Sequence, residues 1–477
     1  MTWRGVLRKV VGGVGSLTPT RVPAPAVERP VREVLELAVR IGEAMLALGA
    51  PAAEVTDAIR RVSRVYELEC QVDLTFTSIM VAHDGTERMP GVTVMRVVAS
   101  PSADFERLAR VVDQVERIVR SGPVVPAAEA AVDDEARDTV RESLAAAHAE
   151  LDAVLAAPRT YRRGVVTLLL SAMAASVALL LGGGPVSVVL AAATTALIDS
   201  TFRVLAALRL PVFFLQLTGA AIATTVAVVV TVLAPYLPLE VSALPPALVV
   251  ASGIVVLLAG GSLVGAADDA INGFPVTASG RLVEVMLLTI GIVVGIGAVL
   301  DLARRLGVGF VLDELPVGPW PVAVQVLGAA GASAAWAMAS YATVRTALLA
   351  GATGATAFVV AMLLGGTGVA PAAASALGAL AIGFAAEALG PRVRVPAIVL
   401  TICGIVPLLP GLAIYRGMLA LVNGDDPTQG FELLLQAGIT GLALAAGVTL
   451  GEILARRTGA SDRRLIPGYI RRTLRRR

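Results

Sequence analysis

The chain has 477 residues, of which 56% are hydrophobic and only 16% are charged, and its formal net charge is +2. Soluble globular proteins carry about 25% charged residues, so this composition excludes an ordinary soluble protein and indicates a membrane protein. Two cysteines and two histidines are too few for a disulfide framework or a metal site, so we expect no metal and no cofactor. The near-neutral charge also provides no basic surface for nucleic acid.

The first third of the chain mixes polar and apolar residues. Residues 1–30 are rich in proline, and we expect a flexible segment there without a cleaved signal peptide. Residues 31–121 contain amphipathic helical stretches and two alternating, β-branched stretches, "CQVDLTFTSIMVAH" and "GVTVMRVVAS". Each of these two predicts one strand. The pattern therefore predicts a small soluble α+β domain, followed at 122–160 by a linker and a charged helix.

Ten apolar stretches follow, most of them near the ~20 residues that cross the hydrocarbon core of a bilayer. The second stretch is short and contains Asp199. The arginines gather at one set of stretch ends and in a basic tail at 458–477, so the positive-inside rule places both termini in the cytoplasm. We predict a polytopic α-helical membrane protein in the cell membrane, with spans near 164–183, 186–202, 211–234, 246–266, 281–303, 321–341, 344–364, 368–388, 395–422 and 432–454.

Two of these stretches resemble each other. "GIVVLLAG" begins at residue 253 and "GIVPLLPG" at residue 404, an offset of 151 with six of eight residues identical. The match predicts two repeats of five spans, at 161–308 and 309–457. Because five is odd, the second repeat would enter the bilayer upside down, as in many secondary transporters whose sites lie on discontinuous helices near the midplane. The alternative is chance similarity among helices rich in glycine and alanine.

The second of the matching stretches continues as "GIVPLLPGLAIYRGM". Pro407 and Pro410 each remove a backbone donor, which would free the carbonyls of Cys403 and Val406. Broken backbone at membrane depth is tolerated only inside protein or along a wet cavity. Freed carbonyls suit an ammonium group and a half-helix N-terminus suits a carboxylate, so we interpret this stretch as part of a binding site. Arg416 either binds an anionic group or lies at the outer interface.

In the first repeat the charges lie in "GAADDAINGFPVTASGRLVE", residues 265–284. Its glycine, proline and small hydroxyl residues favour a re-entrant or gating connection over a plain cytoplasmic loop, although the loop stays open as an alternative. Asp269 lies twelve residues before Arg281. A turn that pairs them in one state and parts them in another would couple protonation to a gate, so Asp269 is the candidate coupling acid.

At these residues the chain resembles the threonine/serine exporters of the ThrE type, in the single-chain actinobacterial form. The resemblance spans residues 33–457 and includes "GFPVTASGRLVE", "PLLPGLAIYRGM" and "AAGVTLGEILARR" in the membrane half and "LAVRIGEAMLALGA" and "ERMPGVTVMRVV" in the soluble half. It implies ten spans, a cytoplasmic N-terminal domain and export of L-threonine and L-serine driven by the proton-motive force. It also implies an acid at Asp269, the run Pro275–Ser279, and acids at Glu284 and Glu452.

The residue patterns and the resemblance together define the candidate residues for substrate binding and proton coupling. They are Asp269, Asn272, Pro275, Thr277, Ser279, Arg281, Glu284, Pro407, Pro410, Gly411, Tyr415, Arg416 and Glu452.

The expected partners are a small amino acid, protons and the lipid bilayer, and a homo-oligomer is compatible with the sequence. Two rival interpretations stay open. The chain could export small dicarboxylates such as succinate, for which Arg416 would supply the base. It could also be a membrane-anchored enzyme or sensor, although no nucleophile and base in the soluble part form a catalytic set, and we expect no enzyme.

Overall fold

The structure is a computed structural model that describes residues 29–85, 91–98, 103–122, 125–130, 132–233, 236, 246–258, 260–308, 321–393, 395–423 and 427–459. Nearly all of the predicted flexible segment and of the predicted basic tail therefore lies outside the described residues.

The part before the first span, residues 29–156, is an α+β unit that we call the N-terminal unit. It contains the helices and strands α1 Arg29–Ala47, α2 Ala52–Val65, β1 Gln71–Leu74, β2 Ser78–His83, β3 Val92–Val97, α3 Phe105–Arg120, α4 Ala127–Ala130 and α5 Asp134–Ala156. The strands form one antiparallel sheet in the order β1-β2-β3. Alternate residues of β2 and β3, among them Val81 and Val94, are buried beneath the helices.

The prediction of one strand across "CQVDLTFTSIMVAH" is wrong, because the stretch folds back on itself as β1 and β2. The backbone N–H of Thr75 donates to the carbonyl of Ser78 at 2.9 Å, and the two hydroxyl groups lie 2.7 Å apart. This turn pairs Gln71 with Ala82 and Leu74 with Ile79. Two hydroxyl side chains that bond their own turn outweighed the β-branched pattern.

Beyond residue 156 the described part of the chain consists of helices and the short turns between them. In the described residues eight helices are long and apolar enough to cross a membrane, and two bent helix pairs bring the number to as many as ten. The chain is therefore a polytopic α-helical membrane protein. The helices are α6 Arg163–Leu180, α7 Pro185–Ala207, α8 Val212–Leu233, α9 Pro246–Ile254, α10 Gly260–Ile271, α11 Pro275–Arg305, α12 Val322–Ala339, α13 Val344–Gly365, α14 Pro371–Val393, α15 Ala397–Gly404, α16 Gly411–Asn423 and α17 Pro427–Arg457.

Two corrections concern polar residues near the spans. Within the predicted re-entrant or gating connection of residues 265–284, residues 275–284 are the first part of α11, with proline at the start of the helix, and the turn is confined to the residues around Gly273, whose φ is +87°. Asp199 lies inside the complete helix α7, where Arg163 approaches its carboxylate to 2.7 Å and Thr167 donates to it at 2.6 Å. A buried acid is tolerated in a span when it is paired and hydrogen-bonded in this way.

The fourth and ninth spans are both broken, at matching positions. In the fourth, a 3₁₀ turn at Val255–Leu257 separates α9 from α10, and the pair is bent by 50°. In the ninth, the turn Val406–Leu408 separates α15 from α16, with a bend of 42°. The turns and the helices that follow them are displaced by 151 residues. The next helices, α11 and α17, each have 31 residues.

The two breaks have the same backbone geometry. Leu258 (φ −68°, ψ 128°) and Leu409 (φ −60°, ψ 133°) are both extended. In each break their N–H donates at 3.3 Å to the carbonyl three residues earlier, that of Val255 or Val406. The expectation that the Val406 carbonyl is free is therefore wrong. Since the first break contains no proline, the prolines of the second are not the common cause.

Packing around the spans is also duplicated. A methyl group on Gly253 would lie 3.0 Å from Thr194, and one on Gly404 would lie 2.9 Å from Thr353. A second close contact is also found in both halves. Gly295 packs against the carbonyl of Leu217, and Gly447 packs against that of Ala376. In both halves glycine lets two spans approach closely. The two halves therefore share particular helix contacts, in addition to the matching sequences "GIVVLLAG" and "GIVPLLPG".

The N-terminal unit packs directly on the spans. The N–H of Phe105 donates to the carbonyl of Ser340 at 2.8 Å. Just after the unit, in the segment that leads to α6, the Tyr161 hydroxyl donates to the carbonyl of Ala342 at 3.0 Å. Thr277 donates to the carbonyl of Leu74 at 2.9 Å. One buried apolar cluster continues from α1 and α2 into α12, α13 and α15. These contacts place the N-terminal unit over one end of the helical bundle.

Candidate functional site

A cavity of about 660 Å³ lies between the two broken spans, α17 and the N-terminal unit. We call it the central cavity. Apolar residues of both breaks line it, namely Val255, Val256, Leu258, Ile405, Val406 and Leu409. Polar residues of α10, α11, α15 and α17 and of the start of α2 also line it, together with further apolar residues such as Met173 of α6 and Trp336 of α12. A concave site with an apolar wall and a few polar groups is the usual form of a small-molecule site.

The two breaks contact each other beside this cavity. A methyl group on Gly260 would lie 3.2 Å from the backbone nitrogen of Gly411, and one on Gly411 would lie 3.0 Å from Cβ of Leu258. We call this contact of Leu258, Gly260, Leu409 and Gly411 the crossing. Both α10 and α16 begin there, so two half-helix N-termini converge on one place. The first N–H groups of a helix lack intrahelical partners and carry partial positive charge, which suits a carboxylate.

One face of α10 supplies the polar lining nearest the crossing. Gly261, Gly265, Asp268 and Asn272 recur at helical spacing and all line the cavity. The carboxylate of Asp268 accepts hydrogen bonds from Thr449 at 3.2 Å and from Asn272 at 3.0 Å. These bonds fix Asp268 in a position where its carboxylate can attract a cationic group from the cavity.

Among the described lining residues the acids outnumber the bases. The acids are Glu54, Asp57, Asp268 and Glu452, and the bases are Arg281 and Arg456. Arg456 is shared: its guanidinium lies 3.2 Å from Glu387, 3.5 Å from Glu452 and 3.7 Å from Glu54. The described cavity lining therefore contains twice as many acids as bases.

Asp269, next to Asp268, points away from the cavity and is fully buried. Its carboxylate lies 3.1 Å from Nε of Arg281 and accepts a hydrogen bond of 3.3 Å from the backbone N–H of Ala52, the first residue of α2. The structure thus brings Asp269 and Arg281 together across the turn at Gly273. It also connects Asp269 to the N-terminal unit, which the sequence did not indicate.

Comparison with known proteins agrees with this architecture. The family profile described as "Putative threonine/serine exporter" matches residues 36–303, and that described as "Threonine/Serine exporter, ThrE" matches residues 325–454. The chain belongs to the threonine/serine exporter family. A relative from Mycobacterium tuberculosis, "Probable threonine/serine exporter", is 38% identical over 89% of this chain and 77% of its own length. The "Threonine/serine exporter" of Corynebacterium glutamicum is 35% identical over 90% of this chain and 83% of its own.

No solved structure matches the chain. Membership confirms the predicted resemblance, and since the family is one of transporters, the chain is a multi-pass transport protein of the cell membrane and not an enzyme. The first profile covers the N-terminal unit and the spans up to α11, and the second covers the spans from α12 onward. Each of the two broken spans is therefore matched by a different profile.

The seven candidate residues of the first repeat lie in different surroundings. Asp269 and Arg281 form the buried pair, and Asn272 lines the cavity with Asp268. Thr277 is buried and holds the N-terminal unit through Leu74. The other three lie outside the described cavity lining, with Pro275 and Ser279 exposed and Glu284 half-buried.

The sequence led us to interpret the stretch around Pro407 as part of a binding site. The structure places the candidate residues of the second repeat in different surroundings. Pro407, Pro410 and Gly411 belong to the break, and Gly411 forms part of the crossing. Tyr415 is 3% exposed in an apolar cluster, and its hydroxyl has no hydrogen-bond partner among the described residues. Arg416 is exposed and is not among the residues that line the cavity. Glu452 does line it.

Four lining or supporting residues were missed by sequence reasoning: Asp268, Thr449, Glu54 and Arg456. The helical stripe of Gly261, Gly265, Asp268 and Asn272 would have identified Asp268. No local signal marks Glu54, because it reaches the cavity only through the packing of α2 on the spans.

Proposed function

We propose that the chain is a secondary exporter of small hydroxy amino acids, L-threonine and L-serine, driven by the proton-motive force through alternating access. One observation carries the proposal: two half-helix N-termini converge at the crossing, beside a cavity whose charged lining is mainly acidic. Helix N-termini favour a carboxylate, and acids favour an ammonium group. A zwitterion carries both groups. The names of the relatives point to the same substrates.

The hydroxyl group of the substrate has partners in the same cavity. Ser262, Thr401 and Thr449 contribute hydroxyl groups to its lining. In a largely apolar cavity, a hydroxyl group that bonds the substrate oxygen discriminates against an analogue that lacks it. This arrangement favours threonine and serine over alanine or valine.

Alternating access follows from the two halves. We infer that residues 161–308 and 309–457 are inverted repeats, supported by the matching breaks, the equal lengths of α11 and α17 and the duplicated glycine contacts. Five spans in each half make their orientations opposite. With both termini in the cytoplasm, the central cavity lies on the cytoplasmic side of the crossing, and the N-terminal unit covers its cytoplasmic end. Exchange of the two halves' conformations would open a path on the other side.

Proton coupling is assigned to Asp269. Its carboxylate is fully buried, its two contacts both favour the ionised form, and protonation would weaken both. Such a group can take up a proton in one state and release it in another. Glu452 and Asp268, which line the cavity, are the acids that the substrate's ammonium group would meet.

The rival assignment to dicarboxylate export is weaker. A dicarboxylate would face a cavity with four acids and two bases among its described lining residues, and both bases are already paired with acids. Arg416, which motivated this rival, is exposed and lies outside the described lining. The charge of the cavity therefore favours a substrate that carries an ammonium group.

The test is efflux from liposomes that contain the purified protein. Vesicles loaded with labelled threonine or labelled succinate are diluted into acidic buffer, with and without a protonophore. We expect threonine efflux that the proton gradient accelerates and the protonophore abolishes, with succinate at the level of empty liposomes. Succinate efflux without threonine efflux would overturn the substrate, and threonine efflux that ignores the gradient would overturn the coupling.

A further inference from the structure

Besides the contact of Leu74 with Thr277, the N-terminal unit is held to the spans at two places that bear on the cavity. The first is the Phe105–Ser340 backbone contact, which lies beside the buried apolar cluster shared with α12, α13 and α15. The second lies at the central cavity, where Ala52 contacts Asp269 and Glu54 contacts Arg456 through polar groups. An apolar anchor on one side and a polar contact on the other would allow α2 to move while the unit stays attached.

At the second place the start of α2 is completed by a residue of the membrane part. Pro51, which precedes the helix, supplies no side-chain cap, and the N–H of Ala52 donates to Asp269. Ala52 and Asp269 are both fully buried. A helix usually satisfies its first N–H groups with a Ser, Thr, Asp or Asn of its own chain neighbourhood. Here the carboxylate comes from α10, 217 residues away in sequence.

The same turn of α2 forms one wall of the cavity. Pro51, Ala53 and Glu54 line it, and Glu54 lies 3.7 Å from Arg456 of α17. The residues that the N-terminal unit contributes therefore stand between the crossing and the cytoplasmic side proposed above. Movement of this turn away from α10 and α17 would widen the cavity toward the cytoplasm.

We propose that the first turn of α2, residues 51–54, is the inner gate of the transport path, and that ionised Asp269 holds this gate closed until a proton binds to it. The inference rests on the proposed function and names the element that the coupling acid controls. A helix N-terminus and a guanidinium both stabilise a carboxylate, and a neutral carboxyl group loses most of that attraction. Protonation of one buried group would thus loosen both the contact with Ala52 and the pair with Arg281.

Other titratable groups surround this gate. Asp268 and Arg281 face Asp269 most closely, and Glu54, Asp57, Glu452 and Arg456 line the cavity around the turn. The chain's two histidines lie in the N-terminal unit, outside the described cavity lining. Burial and the nearby guanidinium of Arg40 lower the pKa of His148, a titratable group that does not contact the gate. A His148→Gln variant is therefore a matched control for effects of pH that do not involve the gate.

The test uses a reporter cysteine behind the proposed gate. Ile402, an apolar lining residue on α15, is replaced by cysteine in a chain that carries Cys70→Ser and Cys403→Ala. An impermeant thiol reagent is applied from the cytoplasmic side of membrane vesicles, in mildly alkaline and mildly acidic buffer. Each rate is divided by that of the denatured protein at the same pH, because the thiolate is the reactive form of cysteine and is scarcer in acid. On this scale we expect several-fold faster labelling of the parent in acidic buffer, fast labelling of Asp269→Asn in both buffers, and no effect of His148→Gln.

A second variant removes only the donor on α2. Ala52→Pro deletes the N–H that reaches Asp269, and proline is tolerated at the first position of a helix. The preceding Pro51 has ψ 155°, the extended conformation that a residue before proline prefers. Ala52→Val adds comparable volume and keeps the N–H. We expect several-fold faster labelling in alkaline buffer for Ala52→Pro than for Ala52→Val.

Equal labelling of the parent at both pH values, with Asp269→Asn indistinguishable from it, would overturn the gate even if Ala52→Pro failed to insert. Threonine efflux is measured on the same vesicles to separate the two proposals. Efflux without any change of labelling refutes the gate and leaves the exporter intact. Absence of threonine efflux in the parent refutes the exporter.

Discussion

The two broken spans share a geometry and differ in chemistry. Each has a 3₁₀ turn, an extended leucine and a glycine at the crossing, although only the second contains prolines. After the first break, α10 turns Asp268 and Asn272 toward the cavity, whereas after the second, α16 buries Tyr415 in an apolar cluster. The break is therefore set by close packing of the two spans. The charged chemistry belongs to the half-helix that faces the cavity.

The largest effect is expected for Asp269→Asn. Asparagine keeps the shape of the side chain but cannot take up and release a proton, so the gradient of threonine built by an imposed proton gradient should fall to near the level of empty liposomes. Exchange of threonine between the two sides at equal concentration should persist, because the side chain keeps its shape. Both are measured in liposomes with equal amounts of inserted protein.

Asp199→Asn is the matched control for this comparison. Asp199 is also buried and paired, 2.7 Å from Arg163, but Arg163 does not line the described cavity, whereas Arg281, the partner of Asp269, does. We expect its substitution to lower the amount of inserted protein while the gradient per molecule stays near that of the parent. A threonine gradient of normal size in Asp269→Asn would remove Asp269 as the coupling acid.

An intermediate effect is expected at the crossing. Gly260→Ala would place a methyl group 3.2 Å from the Gly411 nitrogen and from Cβ of Leu409, while the same change at Gly261 meets its nearest atom, Cδ1 of Leu409, at 3.9 Å. Alanine alone favours a helix over glycine by roughly 0.5–1 kcal/mol, so any loss must come from the contact. Threonine efflux should fall several-fold in Gly260→Ala and only slightly in Gly261→Ala. Equal efflux from the two variants would show that the crossing tolerates separation.

A smaller effect is expected for the double substitution Pro407→Ala and Pro410→Ala. Because the first break forms without proline, the second should persist, and threonine efflux should stay within about twofold of the parent since alanine is a good helix former. A steep loss would instead mean that the prolines themselves hold the broken backbone open. Circular dichroism of the purified variant, compared with the parent, reports whether helix content changes.

These comparisons also show what the sequence could predict. The sequence was sufficient to predict the number of long apolar stretches, the family and the repeat of "GIVVLLAG" in "GIVPLLPG", because these depend on composition and on local pattern. The break in the first of these stretches could not be predicted, because nothing in "SGIVVLLAG" disfavours a continuous helix as clearly as proline does. At this break Gly260 lies against Gly411, a contact that only the packed structure contains.

The candidate site shows the same division. Asp269 and Arg281 were predicted as a pair because a short turn joins their helices. The contacts of Asp269 with Ala52 and of Arg456 with Glu54 join residues that are hundreds of positions apart. No periodicity or motif links such positions, so the part of the N-terminal unit in the cavity could be found only from the fold. Arg416 was overrated because an arginine in an apolar stretch attracts a functional interpretation, although its side chain is exposed.

The last prediction concerns sidedness and involves no change in the cavity. Val276 and Thr428 are the second residues of α11 and α17, the two 31-residue helices that follow the broken spans, and both side chains are exposed. If the repeats are inverted, these equivalent positions face opposite sides of the membrane. Single cysteines at each, in a chain without Cys70 and Cys403, should react with an impermeant thiol reagent from the cytoplasmic side for Val276→Cys and from the outer side for Thr428→Cys. Labelling of both from one side would contradict inversion, because two parallel repeats present equivalent residues to the same solvent. It would leave the crossing of Gly260 and Gly411 in place but remove the basis for exchanging the conformations of the two halves.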